Sequence, residues 1–151
     1  MKKDFKIAIV DDHDFIRTCL SMIFKGIGFT DVFQYRKTHD LINETEKGIF
    51  SEIIFIDIDL LAKHNWEVVL WFKKKYPDVK IMALMMKYNE EEIRKFIKAG
   101  GNGFLFKLAE PADIKAAFKS LTKNGFYYQP VNPTYNTTLT GDNFDQWLND
   151  F

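Results

Sequence analysis

The sequence predicts an α/β domain with a five-stranded parallel sheet flanked by five helices. Three observations predict it. Short runs rich in Ile, Val and Phe alternate with longer stretches of helical period. One of those runs, Ile53 to Ile56, is continuously apolar, as expected of a strand covered on both faces. Glycine or proline closes the helical stretches. Such alternation folds as parallel strands joined by right-handed crossovers.

Phe5 to Val10 is the first strand. The helix after it carries Phe15, Ile16, Leu20, Ile23, Phe24 and Ile27 near one stripe and ends at Gly26 and Gly28. Asp31 to Tyr35 is the second strand, and Thr38 to Lys47 a weaker helix closed by Gly48. Glu52 to Asp57 is the third strand, followed by a helix over Asn65 to Tyr76 that Pro77 stops. Val79 to Leu84 is the fourth. Asn89 then caps a helix whose first turn, Glu90 to Glu92, suits the helix dipole. Gly100-Gly101 breaks it, and Gly103 to Phe106 is the fifth strand. The last helix opens at Glu110-Pro111 and stops near Asn124-Gly125. Residues 1–125 therefore read as one domain and 126–151 as a loose extension or linker, with one helical turn in FDQWLNDF.

Composition narrows the function. The chain has 151 residues, and its 15 Phe argue for a real core. Lys plus Arg and Asp plus Glu are both 21, so net charge gives no reason to expect nucleic-acid binding. The single cysteine, Cys19, reads as a small buried thiol. No apolar run approaches the roughly 20 residues of a membrane span. The N-terminus meets acids too early for a signal peptide, so a cytoplasmic protein is expected.

Four charges stand directly after strands: Asp11 and Asp12, Asp57, and Lys107. In an open parallel sheet, ligands bind beyond the carboxyl ends of the strands, where strand order reverses. If strand order is 2-1-3-4-5, as in doubly wound sheets with one switch point, the first and third strands are neighbours and their acids converge. Convergent carboxylates repel, and a hard divalent cation such as Mg²⁺ relieves the repulsion. Asp57 could then attack phosphorus, with Lys107 and the metal neutralising the transferring charge. Each acid alone reads equally well as ordinary loop polarity, and the set of four shifts the balance.

The set resembles the response-regulator receiver family over about residues 5–124. The specific pieces are IAIVDDHDFIR at 7–17, IIFIDIDLLAKHNWEVV at 53–69 and KAGGNGFLFK at 98–107. DDH followed by FIR is similar to the NarL/LuxR-type members, which usually carry a C-terminal helix-turn-helix. The resemblance implies a flavodoxin-like (CheY-like) fold and a domain that phosphorylates and dephosphorylates itself rather than a conventional enzyme. It implies Asp57 as phosphoacceptor and Lys107 as contact to the acyl phosphate. It implies Mg²⁺ held by Asp12, Asp57 and the Asp59 carbonyl, with Asp11 assisting. The implied donor is a phosphohistidine on a histidine kinase or phosphotransfer protein, and a homodimer is possible.

The chain departs from the family pattern at the switch positions. Met85 stands where Thr or Ser is usual, and cannot donate the hydroxyl hydrogen bond. Phe104 stands where Tyr is frequent. Leu61 replaces a common Pro. Asn65 replaces a common Gly, and Asn tolerates a left-handed backbone. The expectation is a receiver that is phosphorylated yet transmits the signal differently.

Three alternatives stand beside this reading. FIDID, residues 55–59, also resembles the DxD motif of haloacid-dehalogenase-type phosphatases. That leaves Asp11 and Asp12 unexplained, and Gly141-Asp142 and Asp145 make a poor second acidic motif. A degenerate receiver acting by protein contacts alone would suit Met85. A third is the amino-terminal part of a DNA-binding regulator, but residues 126–151 carry no Lys or Arg, so this chain itself is not expected to bind DNA. His13, His39 and His64 lack Cys or His partners at ligand spacing, although His13 falls in the loop over the acids. Lys73-Lys74-Lys75 reads as a solvated helix face, and Trp147 with Phe151 as a partner patch or a segment packed back on the domain.

Overall fold

The apolar runs become a parallel sheet of β1 (Lys6–Val10), β2 (Asp31–Tyr35), β3 (Ile53–Asp57), β4 (Lys80–Met85), β5 (Gly103–Phe106) and β6 (Tyr127–Tyr128). The structure is a computed structural model and describes residues 4–131. Spatial order is β2-β1-β3-β4-β5-β6, with every pairing parallel. The helices are α1 (Asp14–Ile27), α2 (Thr38–Glu46), α3 (Ile58–Lys63), α4 (Glu67–Lys75), α5 (Glu90–Lys98) and α6 (Pro111–Asn124).

The expected α/β fold is present, and the predicted order holds for its five strands. All five residues of β3 are buried, because helices cover both sheet faces. On one face, α1 and α6 pack around Phe24, Phe29, Phe55 and Phe118. The Phe29 and Phe118 rings lie 4.3 Å apart, and Phe24 meets Phe118 edge-on at 5.3 Å. This cluster accounts for much of the unusual phenylalanine content, since each ring contributes a large buried area and a favourable edge contact. The opposite face buries Leu41, Val69, Phe72, Ile93, Phe96 and Phe104.

The structure adds elements to the expected set. A short helix, α3, follows β3 directly. It is separated from α4 by a turn in which Asn65 (φ 52°) and Trp66 (φ 62°) both take left-handed backbone. The asparagine suits that role; the tryptophan is held there by packing against Phe96, ring centroids 6.3 Å apart. The sheet also continues past residue 125, where Tyr127 and Tyr128 pair with Gly103 and Phe104. Gly103 permits this: a Cβ there would lie 1.6 Å from the Tyr127 carbonyl oxygen.

Lys73 corrects the reading of a solvated lysine run. Its Nζ turns inward and donates to the Val79 carbonyl and to Asn102 Oδ1. Asn102 Oδ1 also accepts the Ile81 N–H, and its Nδ2 donates to the Gly125 carbonyl, tying β4 to the end of α6. Cys19 is half-buried. Trp147, Phe151, the FDQWLNDF turn and Asp142 with Asp145 lie outside the described residues.

Candidate functional site at the carboxyl ends of β1, β3 and β5

Each of three strands ends on a buried charge. Asp11 follows β1 and is 0 % exposed, Asp57 ends β3 at 2 %, and Lys107 follows β5 at 5 %. The Asp11 N–H donates to the Tyr35 carbonyl, which prolongs the β1–β2 pairing and fixes where the carboxylate begins. Asp57 caps α3, and its Oδ1 accepts the Asp59 N–H at 3.3 Å. The Lys107 N–H donates to the Met85 carbonyl at 2.8 Å, so β4 sets the height of the lysine.

The crossovers bring the three together. Lys107 Nζ lies 2.8 Å from Asp11 Oδ2 and 3.3 Å from Asp57 Oδ1. Burial raises the Asp57 carboxyl above its usual value, against the opposing pull of Lys107. Burial alone would lower the Lys107 ammonium. Its contacts with Asp11 and Asp57 outweigh this and raise it.

Asp11, Asp12, His13 and Asp57 each offer an atom within 4.8 Å of the others, making a candidate cation site among the described residues. His13 Nδ1 is 2.9 Å from Asp11 Oδ1 and 3.3 Å from Asp12 Oδ1. Its side chain is 64 % exposed, so it can leave the carboxylates at little packing cost. Asp11 Oδ2 is buried and makes no well-angled hydrogen bond, although Lys107 is near. Two buried carboxylates beside the exposed Asp12, with a single ammonium to offset them, are an oxygen donor set that fits a hard divalent cation such as Mg²⁺. Asp59 is exposed at the edge of this group.

Two residues absent from the predicted site also reach it. Arg17 donates to the Asp11 carbonyl at 2.6 Å and to Asp14 at 2.8 Å, clamping the start of α1 over the acids. Its position in DFIR, three residues after Asp14, was the available signal. Glu92, in the first turn of α5, has its carboxyl raised by burial and then by repulsion from Asp59 and Asp57. Its helical position accounted for its charge, so nothing in the pattern pointed to the site.

Two of the departures from the family pattern, Met85 and Phe104, sit in one apolar cluster. Met85 and Phe104 are both buried, packed with Tyr88 and Phe106. Phe104 contacts Tyr88, Phe106 and Tyr128, ring centroids 5.8, 5.9 and 6.0 Å away.

Comparison with known proteins decides the family. A profile of the response regulator receiver domain matches residues 7–119. The chain belongs to the response regulator receiver family. Among curated relatives, this receiver is 24 % identical over 125 residues to the transcriptional regulatory protein DegU of Brevibacillus brevis, covering 83 % of this chain and 53 % of DegU. It is 26 % identical over 141 residues to the oxygen regulatory protein NreC of Staphylococcus carnosus, covering 91 % of this chain and 62 % of NreC. The receiver thus spans between half and two thirds of these relatives. Its fold is similar to the non-phosphorylated receiver domain of the stress response regulator RcsB from Escherichia coli. That match has a TM-score of 0.72 at 20 % identity and covers 85 % of this chain and 99 % of the other. Among the described residues, no helix is long and apolar enough to cross a membrane.

Proposed function

We propose that this receiver accepts a phosphoryl group on Asp57 from the phosphohistidine of a histidine kinase or phosphotransfer protein, in the cytoplasm and with Mg²⁺. The observation that carries the reading is the convergence of buried Asp11, Asp57 and Lys107 at the strand ends. An Asp57 oxygen attacks phosphorus, the P–O bond forms as the P–N bond breaks, and the histidine nitrogen leaves with the electron pair. Asp11, Asp12 and Asp57, with the Asp59 carbonyl, would hold the metal, which when bound supplies charge neutralisation to the transferring group. Lys107 Nζ already stands between two carboxylates, where it would stabilise the phosphoryl oxygens as they approach Asp57. The same geometry, run with water as the attacking group, would return Asp57 to its free form.

The experiment is intact-mass measurement after incubation with Mg²⁺ and acetyl phosphate. Wild type gains one phosphoryl group, and Asp57→Asn gains none. A wild type that stays unmodified while binding Mg²⁺ overturns the proposal.

A second reading has one specific observation behind it. Met85 and Phe104 place no hydroxyl at the switch, which favours a module that acts by protein contacts without phosphoryl transfer. The mass experiment separates the two. We further propose residues 1–125 as the receiver domain proper and 126–151 as an extension, whose first residues join the sheet as β6.

A further inference from the structure

The segment after α6 reaches the strand that carries Lys107. Tyr127 donates its N–H to the Asn102 carbonyl and Gln129 donates its own to the Phe104 carbonyl, so β6 lies along the outer edge of β5. A regular ladder would next give the Phe106 N–H a main-chain acceptor. Instead the Gln129 side chain turns back, and its Oε1 accepts the Phe106 N–H at 2.8 Å. Gln129 is buried, so this is no surface contact.

The consequence falls on Lys107. The backbone before its side chain is held from three sides: the Phe106 N–H by Gln129, the Phe106 carbonyl by the Ala109 N–H at 3.0 Å, and the Lys107 N–H by the Met85 carbonyl. A buried N–H without an acceptor costs free energy comparable to a lost hydrogen bond, and a local shift of the strand that finds another partner relieves that cost. The Phe106 N–H lies one peptide before the one that carries the Lys107 N–H, so a shift there would reach the backbone that aims Nζ between Asp11 and Asp57. The same segment also packs on the switch cluster, through Tyr128 against Phe104, and Val131 is buried in the same apolar core.

We propose that Gln129 is a positioning residue for Lys107, and that residues 127–131 are the mechanical link between the phosphoryl site and whatever follows. The proposal rests on the phosphoacceptor reading. Binding at the site and the placement of residues 127–131 are then reciprocally coupled.

The test uses the full 151-residue chain and Mg²⁺ with beryllofluoride, a phosphoryl mimic, as the probe. Affinity is measured for wild type, Gln129→Leu, Gln129→Glu, Lys107→Ala and the Gln129→Leu/Lys107→Ala double variant. Gln129→Leu should weaken beryllofluoride binding about five- to tenfold while Mg²⁺ affinity alone stays within about twofold. Gln129→Glu, which keeps an acceptor oxygen, should recover most of the loss. In the Lys107→Ala background, Gln129→Leu should cost less than about twofold, because its effect runs through that lysine. Equal losses in both backgrounds, or full affinity in Gln129→Leu, overturn the inference. A wild type that binds no beryllofluoride and gains no phosphoryl mass overturns the phosphoacceptor reading and this inference with it. A wild type that does both, with Gln129 inert, overturns the inference alone.

Discussion

Lys107 Nζ stands 2.8 Å from Asp11 and 3.3 Å from Asp57, so the lysine is bound more closely to the acid of β1 than to the acid that ends β3. In this arrangement the ammonium bridges two buried carboxylates and does for them what a divalent cation would also do.

Removing the bridge should therefore expose the repulsion. Lys107→Ala leaves Asp11 and Asp57 buried without their cation, and breaking a buried pair by removing one partner costs about 3–5 kcal/mol. Thermal unfolding in a chelator should show a large fall in Tm for this variant. Millimolar Mg²⁺ should raise its Tm more than it raises that of wild type. An equal Mg²⁺ response in both proteins would mean that Lys107 and the metal do not relieve the same repulsion.

Asp57→Asn should act in the opposite direction. Burial raises the Asp57 carboxyl, so the folded state holds a proton more readily than the unfolded chain. Stability from this group is present below the ordinary aspartate range and is lost as pH rises through the raised folded value. At neutral pH the charged form is a net burden that the amide lifts. Metal-free Asp57→Asn should melt higher than metal-free wild type at pH 7, and the gap should close toward pH 4. A lower Tm at pH 7 would count against this account.

Met85 is 1 % exposed in an apolar cluster, so Met85→Thr both restores a hydroxyl and removes packed volume. The lost packing should cost about 1–3 kcal/mol in denaturant unfolding. If the absent hydroxyl is what alters signalling, the variant should also dimerise more strongly on phosphorylation than wild type, read by light scattering. No change in that response would remove Met85 as the cause.

Lys73 offers a pH signature away from the site. Burial, with repulsion from Lys80, lowers its ammonium to about 8. Between about 8 and the ordinary lysine value the unfolded chain binds the extra proton, so this group makes stability rise with pH across that window. Below it both states are protonated and the contribution is constant. The Tm difference between wild type and Lys73→Met should therefore move in favour of wild type from pH 8 to pH 10. A difference independent of pH would show that the Lys73 ammonium is not depressed.

Much of the site was legible in the sequence because its signal is local. A charge placed directly after an apolar run marks a strand end, and Asp11, Asp12, Asp57 and Lys107 each satisfy that test within a few residues. Asn65 signalled its left-handed turn in the same way, since the conformation follows from the side chain. Glu92 did not, because its place in the first turn of α5 already explained its charge.

By itself the sequence determined the alternation of strands and helices and the charges that stand at strand ends, since these follow from hydrophobic period; the strand order came with the family resemblance, and the sheet itself shows it. Only the tertiary structure decided how the charges pair, which lysine of Lys73-Lys74-Lys75 turns inward, and where the chain after Gly125 goes. The physical reason is separation along the chain. Lys107 lies 96 positions from Asp11, Lys73 lies 29 from Asn102, and Gln129 lies 23 from Phe106. No periodicity reaches so far. Those contacts exist because a common sheet brings their backbones to the same edge, where a buried donor must find its acceptor.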